Sequence, residues 1–187
     1  METFKNILLR IFRFFRPFLV CLIVILVAQW TFIRFDIKKI QLLGTSMMPT
    51  YKDGTYLLIK NQGLQRGKVV VFTPPLSWTQ GVQNKRYIKR AAAVEGDQVQ
   101  ITESQVLVNG KEVRKVSPEL TEVTGAVTPT TFIVPKNKLF ALGDNAQNSN
   151  DSLYEYLIAN EEFLVDKSAV FAGGEPFIHF HYKIWED

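Results

Sequence analysis

From Phe18 to Ile33 the chain runs sixteen consecutive positions without a charge, rich in Leu and Val and interrupted only by Gln29 and Thr31. Wound as a helix at 1.5 Å per residue, such a run spans about 24 Å, a little short of the roughly 30 Å hydrocarbon core of a bilayer. The flanks make up the difference. Arg16 and Arg34 can snorkel toward headgroups, and Trp30, Phe32 and Phe35 suit an aromatic belt at one interface. A buried helix of a small domain would carry an amphipathic pattern, whereas here the charges stop abruptly at both ends. A cleaved leader would need small residues at its exit, and Ala28-Gln29-Trp30-Thr31-Phe32-Ile33 is bulky there. A retained transmembrane anchor over residues 17–35 is therefore expected. Residues 1–16 would then form a basic cytoplasmic N-terminus and residues 36–187 an extracytoplasmic β-rich domain. Four cations before the span (Lys5, Arg10, Arg13, Arg16) against three after it (Arg34, Lys38, Lys39) orient the N-terminus inward.

The segment after the anchor is long enough to bury a core. Strand signals dominate it: Tyr56 to Lys60, Lys68 to Phe72, Arg86 to Val94, Gln98 to Thr102, Val106 to Val108, Thr131 to Val134, Leu139 to Leu142, Ala169 to Ala172 and Phe177 to Trp185. Asn109-Gly110 is a hairpin turn between Val106-Leu107-Val108 and Glu112-Val113. Many short strands and no convincing soluble helix predict a mainly β fold, a complex sheet or barrel-like domain. Cys21 is the single cysteine and lies within the span, which excludes an intramolecular disulfide. No Cys or His pair has metal-ligand spacing, so no metal or cofactor is expected. His179 and His181 share one face of a terminal strand, where they read as solvated. A formal net charge of +4, with basic clusters on both flanks of the span, suits anionic lipid headgroups. It is too small and too scattered to suggest nucleic acid.

A serine becomes a strong nucleophile only when a neighbouring base takes its proton. With two adjacent histidines near the C-terminus, a His-based triad has little support. Lysine can serve as the base instead, provided that burial disfavours its charged form. Lowering a lysine from about 10.4 to roughly 7 requires about 4 to 5 kcal/mol of differential destabilisation. If residues 85–94 form a strand, alternate side chains take opposite faces. Tyr87, Lys89, Ala91 and Ala93 then share one face, and Arg86, Ile88, Arg90, Ala92 and Val94 the other. The arginines point away from Lys89, and small alanines let its stem pack. Ser46 lies in Gly44-Thr45-Ser46-Met47-Met48-Pro49-Thr50, whose residue types favour a turn. Gly143-Asp144-Asn145 follows the apolar Leu139-Phe140-Ala141-Leu142 as a strand ending in a polar loop, a common seat for functional groups.

Three segments, in order from residue 44 to residue 152, resemble the motifs of type I signal peptidase, the membrane-anchored Ser/Lys protease family that removes leader peptides from exported proteins. They are Ser46-Met47-Met48-Pro49-Thr50, Arg86-Tyr87-Ile88-Lys89-Arg90, and Gly143-Asp144-Asn145 with Asn148-Ser149 and Asp151-Ser152; the second continues to Gly96-Asp97 and Val99. The resemblance implies Ser46 as nucleophile and Lys89 as base. The Ser46 N–H would serve the oxyanion hole, Gly44 stands where some relatives place a second oxyanion donor, and Ser149 would orient the lysine. Met47, Pro49, Tyr87, Arg90, Gly143, Asp144, Asn145 and Asp151 would support them. It further implies secretory preproteins with small residues at the first and third positions before the cut, with membrane lipids and the export translocon as neighbours. Apolar side chains near Met47 and Met48 would face the bilayer.

The chain departs from the family pattern at three places. Leu153 stands where arginine is usual, two residues after Asp151, so that ion pair cannot form, and Asp151 is expected to pair with Arg90 instead. Glu95 replaces a common proline and Lys68 a common aspartate, both expected in surface turns. The Asn150-Asp151-Ser152 sequon reads as accidental, because a glycan there would crowd the site. Three alternatives remain: a Ser/Lys protease dedicated to a narrow client such as a pilin or conjugation factor, a self-cleaving repressor, which should carry a DNA-binding segment in place of the span, and a non-enzymatic anchored β module.

Overall fold

The computed structural model describes residues 2–125, 127–158 and 160–181, and the chain divides into two compact units at Ile37 and Lys38. The first is dominated by helix α1 (Glu2–Arg34), which carries Pro17 within it. Its segment Ile11–Arg34 is long and apolar enough to cross a membrane, with its described side chains open to the surroundings. The helix runs without interruption through both the basic segment and the apolar one.

The second unit is mainly β, as expected, and among the described residues twelve strands form three sheets. The first sheet has the order β1 (Ile37–Gln41), β2 (Thr55–Lys60), β12 (Pro176–His181). In the second, β10 (Val165–Asp166), β9 (Lys138–Leu142), β4 (Tyr87–Val94), β3 (Val69–Phe72) and β11 (Val170–Gly174) lie side by side. The third runs β7 (Lys111–Lys115), β6 (Gln105–Val108), β5 (Gln98–Ile101), β8 (Thr130–Ile133). Asn109 (φ 52°) and Gly110 (φ 76°) close the β6–β7 hairpin, the paired positive φ values that an Asn-Gly turn supplies at least cost. The expected terminal strand is present to His181; its continuation to Trp185 lies outside the described residues.

Sequence and structure part in four places. β1 and the two-residue β10 carry no strand signal strong enough to predict them. Two short helices, α2 (Pro118–Thr124) and α3 (Ser152–Leu157), form where no soluble helix is expected, each started by a side-chain cap from Ser117 or Asp151. The alternation of β4 stops at a bulge against β9 between Ala91 and Ala93. Ala93 consequently packs with Ala92 in one apolar cluster, while Ala91 packs with Tyr87 and Val94 in another. A second bulge, in β7, which no reading of the sequence marked, leaves Val113 exposed and Arg114 buried opposite Val106.

The core is divided among three clusters, and two of them grip the loops that matter. Met47, Leu42 and Tyr51 pack with Leu57, Ile59, Val69 and Val71. Met47 is fully buried, a placement that stabilises by about 1.5–3 kcal/mol and anchors the residue next to Ser46. The apolar side chains left outside here are Leu43 and Met48, so only the second of the two methionines is exposed. Leu153, also fully buried, joins Phe140 and Leu142 and fixes the start of α3. Glu95 and Lys68 lie in turns, as expected.

Candidate active site

Ser46 lies in the turn between β1 and β2, and its position is set from both sides. Met47 is buried behind it, and the Ser46 carbonyl oxygen accepts the Asn145 N–H at 3.0 Å. The neighbouring Thr45 is held by the same loop: its carbonyl accepts Asn145 Nδ2 at 3.1 Å, and its hydroxyl accepts Asn148 Nδ2 at 3.1 Å. Gly44 has φ +94° and donates its N–H to Asp53 Oδ1 at 2.7 Å. That amide is thereby occupied. The Ser46 N–H donates no hydrogen bond among the described residues.

Strand β4 brings Lys89 to the same place. Lys89 pairs with Val70 of β3, and the next residue, Arg90, pairs with Leu142 of β9, so the lysine arrives beside the loop that begins at Gly143. Ser46 and Lys89 both line one cleft of about 690 Å³, together with Gly44, Thr45, Tyr87 and Asn148. Lys89 is 4% exposed, with its Nζ 5.4 Å from the Tyr87 ring centroid. Burial lowers its pKa from 10.5 to about 8; Asp151 and Asp144 oppose that shift, and Arg114 assists it. The depression is smaller than the sequence reading required, because two carboxylates partly restore what desolvation removes.

Gly143 has no room for a side chain. A Cβ there would stand 2.5 Å from the Ser46 carbonyl oxygen and would overlap Ser149 Oγ. The residue is thus wedged between the Ser46 turn and Ser149, whose hydroxyl is buried without a hydrogen-bond partner among the described residues. Its own N–H donates to Asp151 Oδ2 at 2.9 Å. Asp151 is fully buried, and its Oδ1 caps α3 by accepting from Leu153 N (3.0 Å) and Tyr154 N (3.3 Å). Burial would raise its pKa, but the charges of Arg114 and Lys89 and the Arg114 hydrogen bond outweigh it and hold the carboxyl below its ordinary value.

The expected pairing of Asp151 with Arg90 is overturned. Arg90 instead binds Asp144 bidentately, Nε to Oδ1 at 2.8 Å and Nη2 to Oδ2 at 2.7 Å, and donates Nη1 to the Gly67 carbonyl at 2.8 Å. It faces away from Lys89, as strand alternation requires, and with Gly143 and Asp144 lines a separate groove. The partner of Asp151 is Arg114 of β7, whose Nη1 and Nη2 both donate to the carboxylate while Nη1 also reaches the Gly143 carbonyl at 3.2 Å. Sequence reading missed Arg114. A period-two reading of Glu112-Val113-Arg114 turns Val113 inward, and no residue marks the bulge that reverses it.

Of the residues singled out in the sequence, Gly44, Ser46, Tyr87 and Lys89 share the cleft. Gly143 and Asn145 brace the Ser46 turn, Ser149 packs against Gly143, and Met47 anchors the turn from behind. Arg90, Asp144 and Asp151 stand outside the cleft wall as ion-pair partners. Pro49 follows Met48 in the turn through a cis peptide bond.

Comparison with known proteins identifies the family. Residues 13–171 match the family model described as signal peptidase, peptidase S26. A signal peptidase IB of Staphylococcus aureus (strain MRSA252) is 30% identical over 172 residues, covering 80% of this chain and 84% of that protein. Signal peptidase I of Bacillus licheniformis is 33% identical over 156 residues, 75% of each chain. The crystal structure of a signal peptidase I from Enterococcus faecalis V583 superposes with a TM-score of 0.40 at 20% identity, covering 60% of this chain and 97% of that one. On the family model and the curated relatives, the chain belongs to the signal peptidase family, peptidase S26.

Proposed function

We propose that the chain is a membrane-anchored serine endopeptidase that removes signal peptides from secretory preproteins, with Ser46 as nucleophile and Lys89 as general base. The observation that carries this reading is the shared cleft, lined both by a buried lysine with a pKa near 8 and by a serine braced from both sides. Near pH 8 about half of the lysine is neutral and can act as a base. It takes the Ser46 hydroxyl proton as Oγ attacks the scissile carbonyl, and the oxyanion is met by the unoccupied Ser46 N–H. Lys89 then gives that proton to the departing amine, which releases the mature protein and leaves the signal peptide as an ester on Ser46. A water molecule, deprotonated by Lys89, attacks the ester; the serine recovers its proton and the signal peptide leaves as a carboxylic acid. Ser149, whose hydroxyl is buried against Gly143, accepts an N–H of the neutral amine and aims its lone pair at Ser46.

The substrate carries small side chains at the first and third positions before the cut, a preference that rests on the family resemblance. The chain crosses the bilayer once, through α1, with the N-terminus cytoplasmic, and works beside the translocon with Leu43 and Met48 toward lipid. The four-to-three excess of cations before the span supports this orientation. The test is cleavage of a preprotein by the detergent-solubilised full chain. Ser46→Ala and Lys89→Ala should remain folded and lose turnover, and chelators should not inhibit the parent. Parental rates in either variant would overturn the reading.

A further inference from the structure

Arg114 is 8% exposed at the wall of the groove that Arg90, Gly143 and Asp144 also line, and burial makes this an expensive place for a guanidinium. Its Nε has no acceptor among the described residues. A buried ion pair of this kind contributes little that a packed apolar side chain would not, so its stability alone does not explain it. Its contacts point elsewhere. The guanidinium bonds Asp151 with two nitrogens and the Gly143 carbonyl with one. Asp151 faces Lys89 electrostatically, and Gly143 is the residue wedged against Ser46 and Ser149. With Leu153 in the core, α3 offers no cation of its own to Asp151.

Resting on the Ser46/Lys89 reading above, we propose that Arg114 is a positioning residue of the cleft: delivered from β7, its guanidinium neutralises the Asp151 carboxylate that faces Lys89 and holds Gly143 against the Ser46 turn. The other charged and titratable groups around Lys89 have their own constraints. Asp144 is held by Arg90, Glu155 on α3 is buried and bonded by Asn160 Nδ2, Tyr87 presents its ring face, and Lys85 and Arg86 line the cleft as exposed cations. Asp151 is therefore the carboxylate whose effect on Lys89 depends on Arg114. Without Arg114, its full charge would bear on the amine and keep the proton there.

The experiment is the pH dependence of kcat/KM for preprotein cleavage by the full chain in detergent, with a thermal melt for each variant. Arg114→Met should move the acid limb upward by about one unit, a roughly tenfold loss at pH 7. Asp151→Asn, which keeps the helix cap, should move it downward, and the double variant should return it toward the parent; Arg114→Lys should hold the parental limb. A folded Arg114→Met with an unmoved limb, or single variants that shift the limb the same way, would overturn the inference. Should Arg114→Met fail to fold, Asp151→Asn against the double variant decides: a limb no lower in the single variant contradicts the proposal. Activity in Lys89→Ala would defeat the dyad itself, whereas an inactive Lys89→Ala with unmoved limbs in the Arg114 variants defeats only this role for Arg114.

Discussion

The side chain of Lys89 is asked to do something that costs stability. Its folded pKa, about 8, lies below the 10.5 of an unperturbed lysine, with burial as the leading cause. Between those two values the unfolded chain binds a proton that the folded chain lacks, so stability rises with pH from about 8 to about 10.5 and the cost is fully present below 8. At 1.36 kcal/mol per unit the cost at pH 7 is about 3 kcal/mol. Lys89→Met should therefore stabilise the protein by that order at pH 7, with the gain fading above pH 10, as read from denaturant unfolding at several pH values. Gly143→Ala should do the reverse to function. Its methyl group must displace the Ser46 carbonyl or Ser149, and a shift of about 1 Å costs on the order of 100-fold in turnover. That Ser46 and Lys89 line one cleft was legible, because the residues flanking each single out which serine and which lysine belong together. Arg114 was not legible, since strand alternation turns Val113 inward and Arg114 outward until the bulge in β7 is seen.

The strands show what periodicity can and cannot reveal. The β6–β7 hairpin was readable from Asn109-Gly110, where the turn demands positive φ at both positions. By contrast α3 was read as a polar loop, because its six residues are too few to show a helical repeat and its cap, Asp151, sits among asparagines and serines that favour turns. That cap is tied into an ion pair, and Asp151→Ala tests the combination. Loss of an N-cap alone costs about 0.5–2 kcal/mol, whereas leaving Arg114 buried without its carboxylate adds about 3–5 kcal/mol. The expected result is a destabilisation well beyond that of Ser117→Ala, the cap of α2, in parallel thermal melts. Equal losses at the two caps would mean that the Arg114 pair contributes nothing.

At the scale of the molecule, a long apolar helix precedes in sequence a β unit in which the Ser46 turn joins β1 and β2 of the first sheet, while β4 and β9 of the second carry Lys89 and lead into the Gly143 loop. The mainly β character and the helix were both legible, the first from many short alternating runs and the second from the uncharged stretch. How the strands divide into three sheets was not, because pairing between distant strands leaves no mark in local pattern. The proposed anchor predicts that the full chain stays with membranes through carbonate extraction; release into the supernatant would remove it. The central claim, that the amine at position 89 gives up its proton near working pH, is tested most directly by NMR titration of the Lys89 Nζ resonance in the detergent-solubilised protein. The account predicts a midpoint of about 8, and a midpoint above 10, that of an ordinary exposed lysine, would contradict it.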